Sequence, residues 1–316
     1  MDPKDLHVVS SIFNPKGYRS RSLNYYKFID HMIESKVNIN IIECAIKGAD
    51  FTTAHDSRIN QTWVRSNSAL WMKENLLNIA INKLPSTVKY LLVADADIEF
   101  KDVNWVQKLI ETLQKYPVVQ AWHKAVDLGP KGMPMPVNHL NEMKHESFAF
   151  YYKKFGTVTQ EMQMYAHPGY AVAYNMEALR DMGGLFEHAI LGGADRYMVT
   201  SWIGKHEYWF NENAHSEEFL RYSEKWVNNA YKVVNGNLGH LNCNINHSFH
   251  GYKVKRNYLG RKFILKDHAF NPETDIFKNS YGVYEFAGNK PGMEKDISDY
   301  FESRQEDEDT HLDQVI

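Results

Sequence analysis

The sequence predicts an α/β fold in which a mixed, mostly parallel central sheet is flanked by helices. Three observations predict it. Apolar runs at residues 7–13 and 39–45 enclose a helical pattern, and a third apolar run at residues 88–94 follows a longer helical pattern. Each run is short, rich in Val, Ile or Leu and bounded by turn-forming or charged residues, which favours a buried strand. Strand and helix therefore alternate, as they do in parallel βαβ units.

Capping residues and helix breakers give the order of elements in the first 122 residues. Proline and glycine mark the turns, and Ser, Asp or Asn precede helical patterns. The predicted elements are a strand at 7–13, a helix from a Ser20 or Ser22 cap, a strand at 39–45, a loop at 50–60, a helix from Gln61 to Ile81 that ends before Pro85, a strand at 88–94, a helix capped by Asp102 or Asn104, and a strand at 117–122.

The composition is typical of a globular protein with a sizeable core. The chain has 316 residues, of which 43% are hydrophobic and 24% are charged. Its 36 basic and 39 acidic residues give a net charge of −3, which provides no overall attraction to nucleic acids or membranes. Cys44 and Cys243 lie in apolar runs and are expected to be reduced core thiols. Because the start is not signal-like and no run reaches membrane-spanning length, a cytoplasmic protein without a membrane span is expected.

Two carboxylates, Asp95 and Asp97, directly follow the apolar run at residues 88–94. The carboxyl ends of strands in such sheets are where ligands bind. Side chains at i and i+2 of an extended segment point to the same side, so the pair can converge on one cation such as Mg2+ or Mn2+. A cation would also relieve the repulsion between neighbouring carboxylates. The alternative is that Asp97 only caps the next turn.

Three segments of the second half are predicted to be irregular. Glycine and proline exclude regular structure at residues 129–136, which we interpret as a long loop beside the site. Residues 151–159 are basic and aromatic and are expected to form another loop. Residues 302–309 are acidic and poor in apolar residues, which predicts a frayed or disordered tail. Between these segments lie a predicted strand at 167–174, a helix from an Asn175 cap to Met182, and a late strand at 238–245.

Three further groups in this half are candidates for chemistry. Asp195 follows two glycines at a helix start, where it is either an N-cap or a general base. His247 and His250 follow the late strand and either bind a cation or phosphate or belong to a polar surface. Residues 253–262 are dense in Lys and Arg, which forms either a solvated helix face or a clamp for a diphosphate or a negatively charged acceptor.

Taken in order, four features resemble the GT-A glycosyltransferases, particularly the family-2-like enzymes of bacteriophages and large viruses. They are the opening βαβ unit, the pair Asp95 and Asp97, the segment 168–195 with its glycines and terminal acid, and the stretch 247–251. Together they span roughly residues 7–270, and their order is more specific than any one of them.

The resemblance implies a metal-dependent transfer from a nucleoside-diphosphate sugar, with a UDP-sugar favoured and with Mn2+ or Mg2+ as the cofactor. It implies that Asp97 and His250 hold the cation and that Asp95 holds either the cation or the donor ribose. Asp195 would take the proton of the acceptor hydroxyl in an inverting reaction. Similar enzymes often have two adjacent acids at this position, whereas this chain has Ala194 and Asp195.

The resemblance also implies where the remaining donor contacts and the acceptor lie. Ser10, Phe13 and Glu43 stand at strand ends that hold the nucleoside in similar enzymes, and Lys253 would contact the diphosphate. The implied acceptor is a glycan, a glycoprotein or a modified DNA base. The cellular site would be the cytoplasm, or the host cytoplasm if the chain is viral.

One domain of this kind would divide into residues 1–122 as the nucleotide-sugar-binding half and residues 123–270 as the acceptor-side half. Residues 271–316 would form a C-terminal extension with the acidic tail. Two other classes stay open. A haloacid-dehalogenase-type phosphatase also carries D-x-D after a buried strand, and a non-catalytic protein that binds carbohydrate or nucleic acid could use a degenerate transferase fold. Hydrolysis of a generic phosphate ester, or binding without consumption of nucleotide sugar, would identify them.

Overall fold

The computed structural model describes residues 2–135, 144–159, 166–258 and 260–308. Within these residues the strands are β1 (Leu6–Phe13), β2 (Asn38–Ile46), β3 (Asn60–Ser66), β4 (Tyr90–Ala94), β5 (Ile98–Phe100), β6 (Val118–Gln120), β7 (Lys124–Asp127), β8 (Lys144–Ser147), β9 (Ala166–His167), β10 (Ala171–Asn175), β11 (Leu238–His240), β12 (Asn244–His247), β13 (Ile276–Lys278) and β14 (Tyr284–Phe286). The α-helices are α1 (Arg19–Glu34), α2 (Lys73–Ile81), α3 (Trp105–Leu113), α4 (Phe148–Phe155), α5 (Met176–Met182), α6 (Ala194–Trp202), α7 (Glu217–Val234), α8 (Arg261–Asp267) and α9 (Pro291–Ser303).

The central sheet confirms the predicted α/β fold. Its seven strands run in the order β11-β6-β10-β4-β1-β2-β3, and every neighbouring pair is parallel except those of β10. Alternate residues of β1 enter different cores, since Val9 packs in one apolar cluster and Val8 in the other. Each face of the sheet is therefore buried against helices, which explains why its strands read as nearly continuous apolar runs.

A second sheet, β5-β12-β7-β8-β9, lies beyond the end of β4. Strand β12 pairs antiparallel with β5 and parallel with β7, so His247 is opposite Ile98 on one side and Asp127 on the other. The late strand predicted at 238–245 is in fact two strands, because β11 belongs to the central sheet and β12 to this second one. This division brings residues from three distant parts of the chain to one place.

Two predicted elements of the first half were wrong. The helix predicted from Gln61 to Ile81 begins only at Lys73, because Asn60–Ser66 form β3 at the edge of the central sheet. Thr62, Trp63 and Val64 at the centre of that stretch are β-branched or aromatic, which favours a strand. The predicted Ser20 or Ser22 cap is also absent, since α1 begins at Arg19 and Ser20 lies inside it.

Two predictions for the second half also need correction. Residues 148–155 form α4 rather than a loop, and the Ser147 hydroxyl accepts a hydrogen bond from the Phe150 N–H at 3.3 Å. The strand predicted at 167–174 is interrupted between β9 and β10, where Tyr170 has a φ of 71°. The helix from the Asn175 cap to Met182 is confirmed, with Gly183 as its left-handed C-cap.

The acidic tail is the largest departure from the sequence prediction. Segment 302–309 was expected to be frayed, yet α9 continues to Ser303 and the Glu306 side chain is 1% exposed. Asp307 accepts hydrogen bonds from the backbone N–H groups of Arg19 and Ser20 at 2.8 and 2.9 Å. The tail therefore supplies the cap that α1 lacks, because its carboxylate binds the free N–H groups of the first turn. Residues 309–316 lie outside the described residues.

Two of the remaining expectations concern the cysteines and the membrane. Cys44 and Cys243 are both free and buried, as predicted. None of the helices in the described part of the chain is both long and apolar enough to cross a membrane.

Candidate functional site

A cavity of about 1070 Å³ opens where β1 and β4 end. Phe13, from the end of β1, lines it together with Asp95 and Asp97, which form the turn between β4 and β5. The first turns of α2 and α6 add Lys73 and Asp195 to its wall. The cavity therefore lies at the carboxyl ends of parallel strands, as the sequence predicted for a ligand site.

Asp97, His247 and His250 form a cluster that could hold a metal ion. One ligand atom from each residue lies within 4.8 Å of the other two. The His250 Nε2 atom is 3.1 Å from Asp97 Oδ2, and the His247 Nε2 atom is 3.6 Å from Asp97 Oδ1. Asp97 Oδ1 is buried and has no hydrogen-bond partner among the described residues. One carboxylate and two imidazoles around an unsatisfied oxygen fit a divalent cation such as Mn2+.

The acidic and imidazole groups of this cluster shift one another's pKa values. Burial alone would raise the pKa of Asp97, but His247 and His250 hold it well below its usual value. Burial alone would lower the pKa of His247, but Asp97 and Asp127 raise it to about 9. The carboxylates thus favour positive charge at this place, which a bound cation would also supply.

Asp127 joins the second sheet to the cluster. Its Oδ1 atom lies 2.7 Å from His247 Nδ1 and accepts a hydrogen bond from the Tyr170 hydroxyl at 3.1 Å. Its Oδ2 atom lies 3.0 Å from His145 Nε2 and is paired with the Lys253 ammonium. Lys253, predicted to contact a diphosphate, lines the cavity but is therefore held by Asp127 in this structure.

Asp95, predicted as a cation or ribose ligand, faces a different partner. It lines the same cavity as Asp97, but its carboxylate forms an ion pair with Lys73 and is not part of the three-residue cluster. Burial is the main cause that raises the pKa of Asp95, and Lys73 opposes it. The two acids of the D-x-D motif are thus neutralised separately, Asp95 by an ammonium and Asp97 by imidazoles.

Asp195 stands where the sequence placed it, in the first turn of α6 after two glycines with positive φ. Its Oδ1 atom accepts a hydrogen bond from the Arg196 N–H at 2.9 Å. A Cβ atom on Gly169 would lie only 2.6 Å from Asp195 Oδ2. The carboxylate is therefore fitted against the backbone of the turn between β9 and β10, where only glycine leaves room for it.

Of the three residues predicted to hold a nucleoside, only Phe13 lines the cavity. The Ser10 hydroxyl is buried and donates to the Ala94 carbonyl at 2.7 Å, which joins β1 to β4. The Glu43 carboxylate is buried and accepts hydrogen bonds from the N–H and hydroxyl groups of Thr52 and Thr53. Ser10 and Glu43 thus make protein contacts that hold the strand ends and the following loop in place.

The cluster at residues 253–262 faces the cavity in part. Arg256 and Arg261 are each 7% exposed and line it. Arg261 donates to the Tyr300 hydroxyl at 2.7 Å, and Arg256 to the Tyr258 hydroxyl at 3.1 Å. Among the described residues neither guanidinium forms an ion pair with a carboxylate, and Arg256 Nε has no hydrogen-bond partner. A buried guanidinium group that forms no direct ion pair favours an anionic ligand. Burial alone would lower the pKa of Arg256, but Tyr258 and, from a longer distance, Glu306 and Asp97 raise it.

Four residues of this region were given no such role from the sequence. His247 was noted beside His250 but was not assigned to the cation, and its position opposite Asp97 depends on the pairing of β12 with β5. Lys73 falls within the helix predicted from Gln61 to Ile81. The only local feature that distinguishes it is the adjacent charge of Glu74 in an otherwise apolar stretch. Asp127 and Glu306 gave no local signal, because their partners are distant in sequence.

Comparisons with known proteins were made for the whole chain. No protein-family model and no curated protein matches it. TarS of S. aureus in complex with UDP-GlcNAc is 9% identical, with 78% of this chain and 59% of that chain covered and a TM-score of 0.45. A variant of Drosophila β1,4-galactosyltransferase 7 in complex with manganese, UDP-Gal and xylobiose is 11% identical, with 64% and 61% covered and a TM-score of 0.32.

A third similar structure is a candidate nucleotide-diphospho-sugar transferase from Desulfovibrio desulfuricans. It is 11% identical, with 84% of this chain and 94% of that chain covered and a TM-score of 0.36. The match covers about three fifths of TarS residues 1–349 and 37% of a longer TarS chain. At these identities the similarity concerns the overall fold only, so the functional argument depends on the site itself.

Proposed function

We propose that the protein is a metal-dependent glycosyltransferase that moves a sugar from a nucleoside-diphosphate sugar to an acceptor hydroxyl. One observation carries the proposal. A single cavity contains a three-residue cation cluster, two buried guanidinium groups that form no direct ion pair with a described carboxylate, and a separate carboxylate, Asp195, at a helix start. A nucleoside diphosphate bound with a divalent cation would satisfy the first two features together.

The leaving diphosphate sets the first chemical requirement. Glycosyl transfer builds negative charge on this group while the sugar passes through an oxocarbenium-like state. A divalent cation held by Asp97, His247 and His250 would supply Lewis-acid stabilisation of that charge. Arg256 and Arg261 would bind the phosphate oxygens directly, which supports the prediction of a basic clamp although Lys253 is engaged elsewhere.

Removal of the acceptor proton is the second requirement. Asp195 would accept it as a general base, which supports an inverting reaction because the base then acts on the face of the sugar opposite the leaving group. The pairing of Asp95 with Lys73 supports a donor-side role for Asp95 rather than direct cation binding. In this arrangement Lys73 would hold Asp95 ready to bind the donor ribose.

A UDP-sugar is the proposed donor, and a glycan, a glycoprotein or a modified DNA base is the proposed acceptor. TarS was solved with UDP-GlcNAc and the galactosyltransferase with UDP-Gal and xylobiose. Mn2+ is the proposed cation, because two imidazole ligands suit it better than Mg2+.

Thermal unfolding with a panel of ligands tests the proposal. The wild-type protein is heated with nucleoside diphosphates and nucleotide sugars, each with Mn2+, Mg2+ or EDTA. A ligand that binds only the folded state raises the melting temperature by mass action, so we expect a rise with one nucleotide that disappears in EDTA. Asp97→Asn should lose the metal-dependent part. Asp102→Asn, which removes a carboxylate outside the cavity, is the matched control.

Other outcomes would contradict the proposal. If no nucleotide stabilises the protein, a nucleotide-sugar donor is excluded. If stabilisation is the same with cation and with EDTA, a role of the metal in donor binding is excluded. Turnover of a generic phosphate ester without sugar transfer would favour a phosphatase. Nucleotide-sugar binding with no consumption in the presence of all three acceptor classes would favour a binding protein.

A further inference from the structure

Both histidines of the cation cluster are oriented in the same way. Each presents Nε2 to Asp97, and the two Nε2 atoms are 3.3 Å apart. Each has a second carboxylate near Nδ1, which is Asp127 Oδ1 at a hydrogen-bond distance of 2.7 Å for His247 and Glu306 Oε2 at 3.6 Å, longer than a hydrogen bond, for His250. The His250 Nδ1 and Nε2 atoms also lie 3.3 and 3.1 Å from Arg256 Nη2. Asp127 comes from the neighbouring strand, whereas Glu306 comes from the C-terminal segment.

Glu306 is held firmly at this position. Its side chain is 1% exposed. Oε1 and Oε2 accept hydrogen bonds from Arg21 at 2.8 and 2.5 Å, and Oε1 accepts another from Arg304 at 2.6 Å. These two guanidinium groups supply the counter-charge for the buried carboxylate. A buried carboxylate that accepts hydrogen bonds from two guanidinium groups has a fixed geometry.

The segment that carries Glu306 packs directly on the loop after β12. A Cβ atom on Gly251 would lie 2.8 Å from the Glu306 Cα, so the backbones are in contact beside His250. Asp307 binds the N-terminus of α1, and Lys255 pairs with Glu308. The contacts on both sides of Glu306 therefore fix its distance from the His250 ring.

We propose that Glu306 is a positioning residue of the cation site, whose carboxylate faces His250 Nδ1 from 3.6 Å and, with the segment packed at Gly251, orients the ring so that Nε2 faces the cation position. The inference rests on the cation binding of the proposed function. Metal-binding histidines generally donate their other N–H to a carboxylate or carbonyl, and loss of that partner costs about 10- to 100-fold in metal affinity. Glu306 would orient His250 from 3.6 Å, whereas Asp127 holds His247 at a hydrogen-bond distance of 2.7 Å.

Mn2+ binding by the purified full chain tests the inference. Free Mn2+ is measured by electron paramagnetic resonance, with and without UDP, in wild type, Glu306→Gln and Glu285→Gln. Glu285 is also buried and bonded, through the Asn67 N–H and Asn279, but lies outside the cavity lining, so it is the matched control. We expect a Mn2+ Kd weakened about 10- to 100-fold in Glu306→Gln and unchanged in Glu285→Gln.

Thermal unfolding in EDTA separates positioning from a general loss of stability. A lower melting temperature with the wild-type Mn2+ Kd would overturn the inference. If Glu306→Gln does not fold, Glu306→Asp is used instead. It keeps the charge that Arg21 and Arg304 require, but its side chain is one methylene shorter, so the carboxylate lies farther from His250. A severalfold weaker Kd in that variant supports the inference, and an unchanged Kd overturns it.

Mn2+ and nucleotide binding by the wild-type protein distinguish failure of the inference from failure of the proposed function. Mn2+ binding without any nucleotide binding would end the transferase proposal and leave the Glu306 comparison intact. Binding of both with no effect of Glu306→Gln would end only the inference. No divalent-cation binding by wild type would overturn both.

Discussion

Replacement of Glu74 by glutamine should make the protein more stable, and only at neutral to alkaline pH. Glu74 is 6% exposed, lies in the first turn of α2 and lines the cavity near Asp95 and Asp195. Burial raises its pKa from 4.5 to about 7, although Lys73 opposes the rise. The folded protein therefore prefers the protonated carboxyl, and ionisation at higher pH destabilises it.

The size of the effect follows from the pKa difference. A rise of about 2.5 corresponds to about 3 kcal/mol, at about 1.4 kcal/mol for each pH unit. Because the pKa is raised in the folded state, this contribution to stability is fully present below pH 4.5 and is lost as the pH rises through about 7. Glu74→Gln cannot ionise, so its stability relative to wild type should rise over the same window.

Urea unfolding at about pH 5 and about pH 8.5, in EDTA and without nucleotide, measures this difference. We expect the free energy of unfolding of Glu74→Gln, relative to wild type, to be about 2–3 kcal/mol higher at the alkaline pH. Glu177→Gln, in the first turn of α5 and exposed, is the matched control and should show no such change. If the free energy of unfolding of Glu74→Gln relative to wild type is the same at both pH values, the reasoning is refuted.

Three further predictions concern the reaction itself. Asp195→Asn should lower the transfer rate by about 10²- to 10⁴-fold while donor affinity in calorimetry stays unchanged, and wild-type turnover would exclude it as the base. Gly169→Ala should also lower kcat, because the new Cβ would displace the Asp195 carboxylate 2.6 Å away, and an unchanged kcat would show that the carboxylate can move freely. Arg256→Gln should weaken UDP binding about 10- to 100-fold in the presence of Mn2+ but not uridine binding, and equal losses for both ligands would place Arg256 away from the diphosphate.

The sequence predicted the parts of the fold that depend on local patterns. Short apolar runs located the strands of the central sheet that surround β4, and the acidic pair after β4 was found at the cavity. Asp97 and His250 lie in one cluster, as the resemblance implied, and Asp195 is at the start of α6. These features were predictable because strand period, helix caps and strand-end acids each depend on a few neighbouring residues.

The tail could not be predicted in this way, because its stability comes from residues elsewhere in the chain. An acidic run is unfavourable alone, but Lys16 pairs with Glu302 and Lys255 with Glu308. Arg21 and Glu306 are separated by 285 positions. Composition predicts how an isolated segment behaves in water, whereas the charges of this segment are paired with Lys16, with Arg21 of α1 and with Lys255 of the loop after β12.

The capping of α1 by Asp307 has a consequence for the order in which the chain becomes structured. Strand β1 and helix α1 leave the ribosome well before the C-terminal segment, because the carboxylate that binds the Arg19 and Ser20 N–H groups is 288 and 287 positions away. During synthesis the first turn of α1 therefore has only water for these groups. The helix start, the Arg21–Glu306 pair and the surroundings of His250 can become ordered only after residue 307 has been made, so they should form together as a late step of folding.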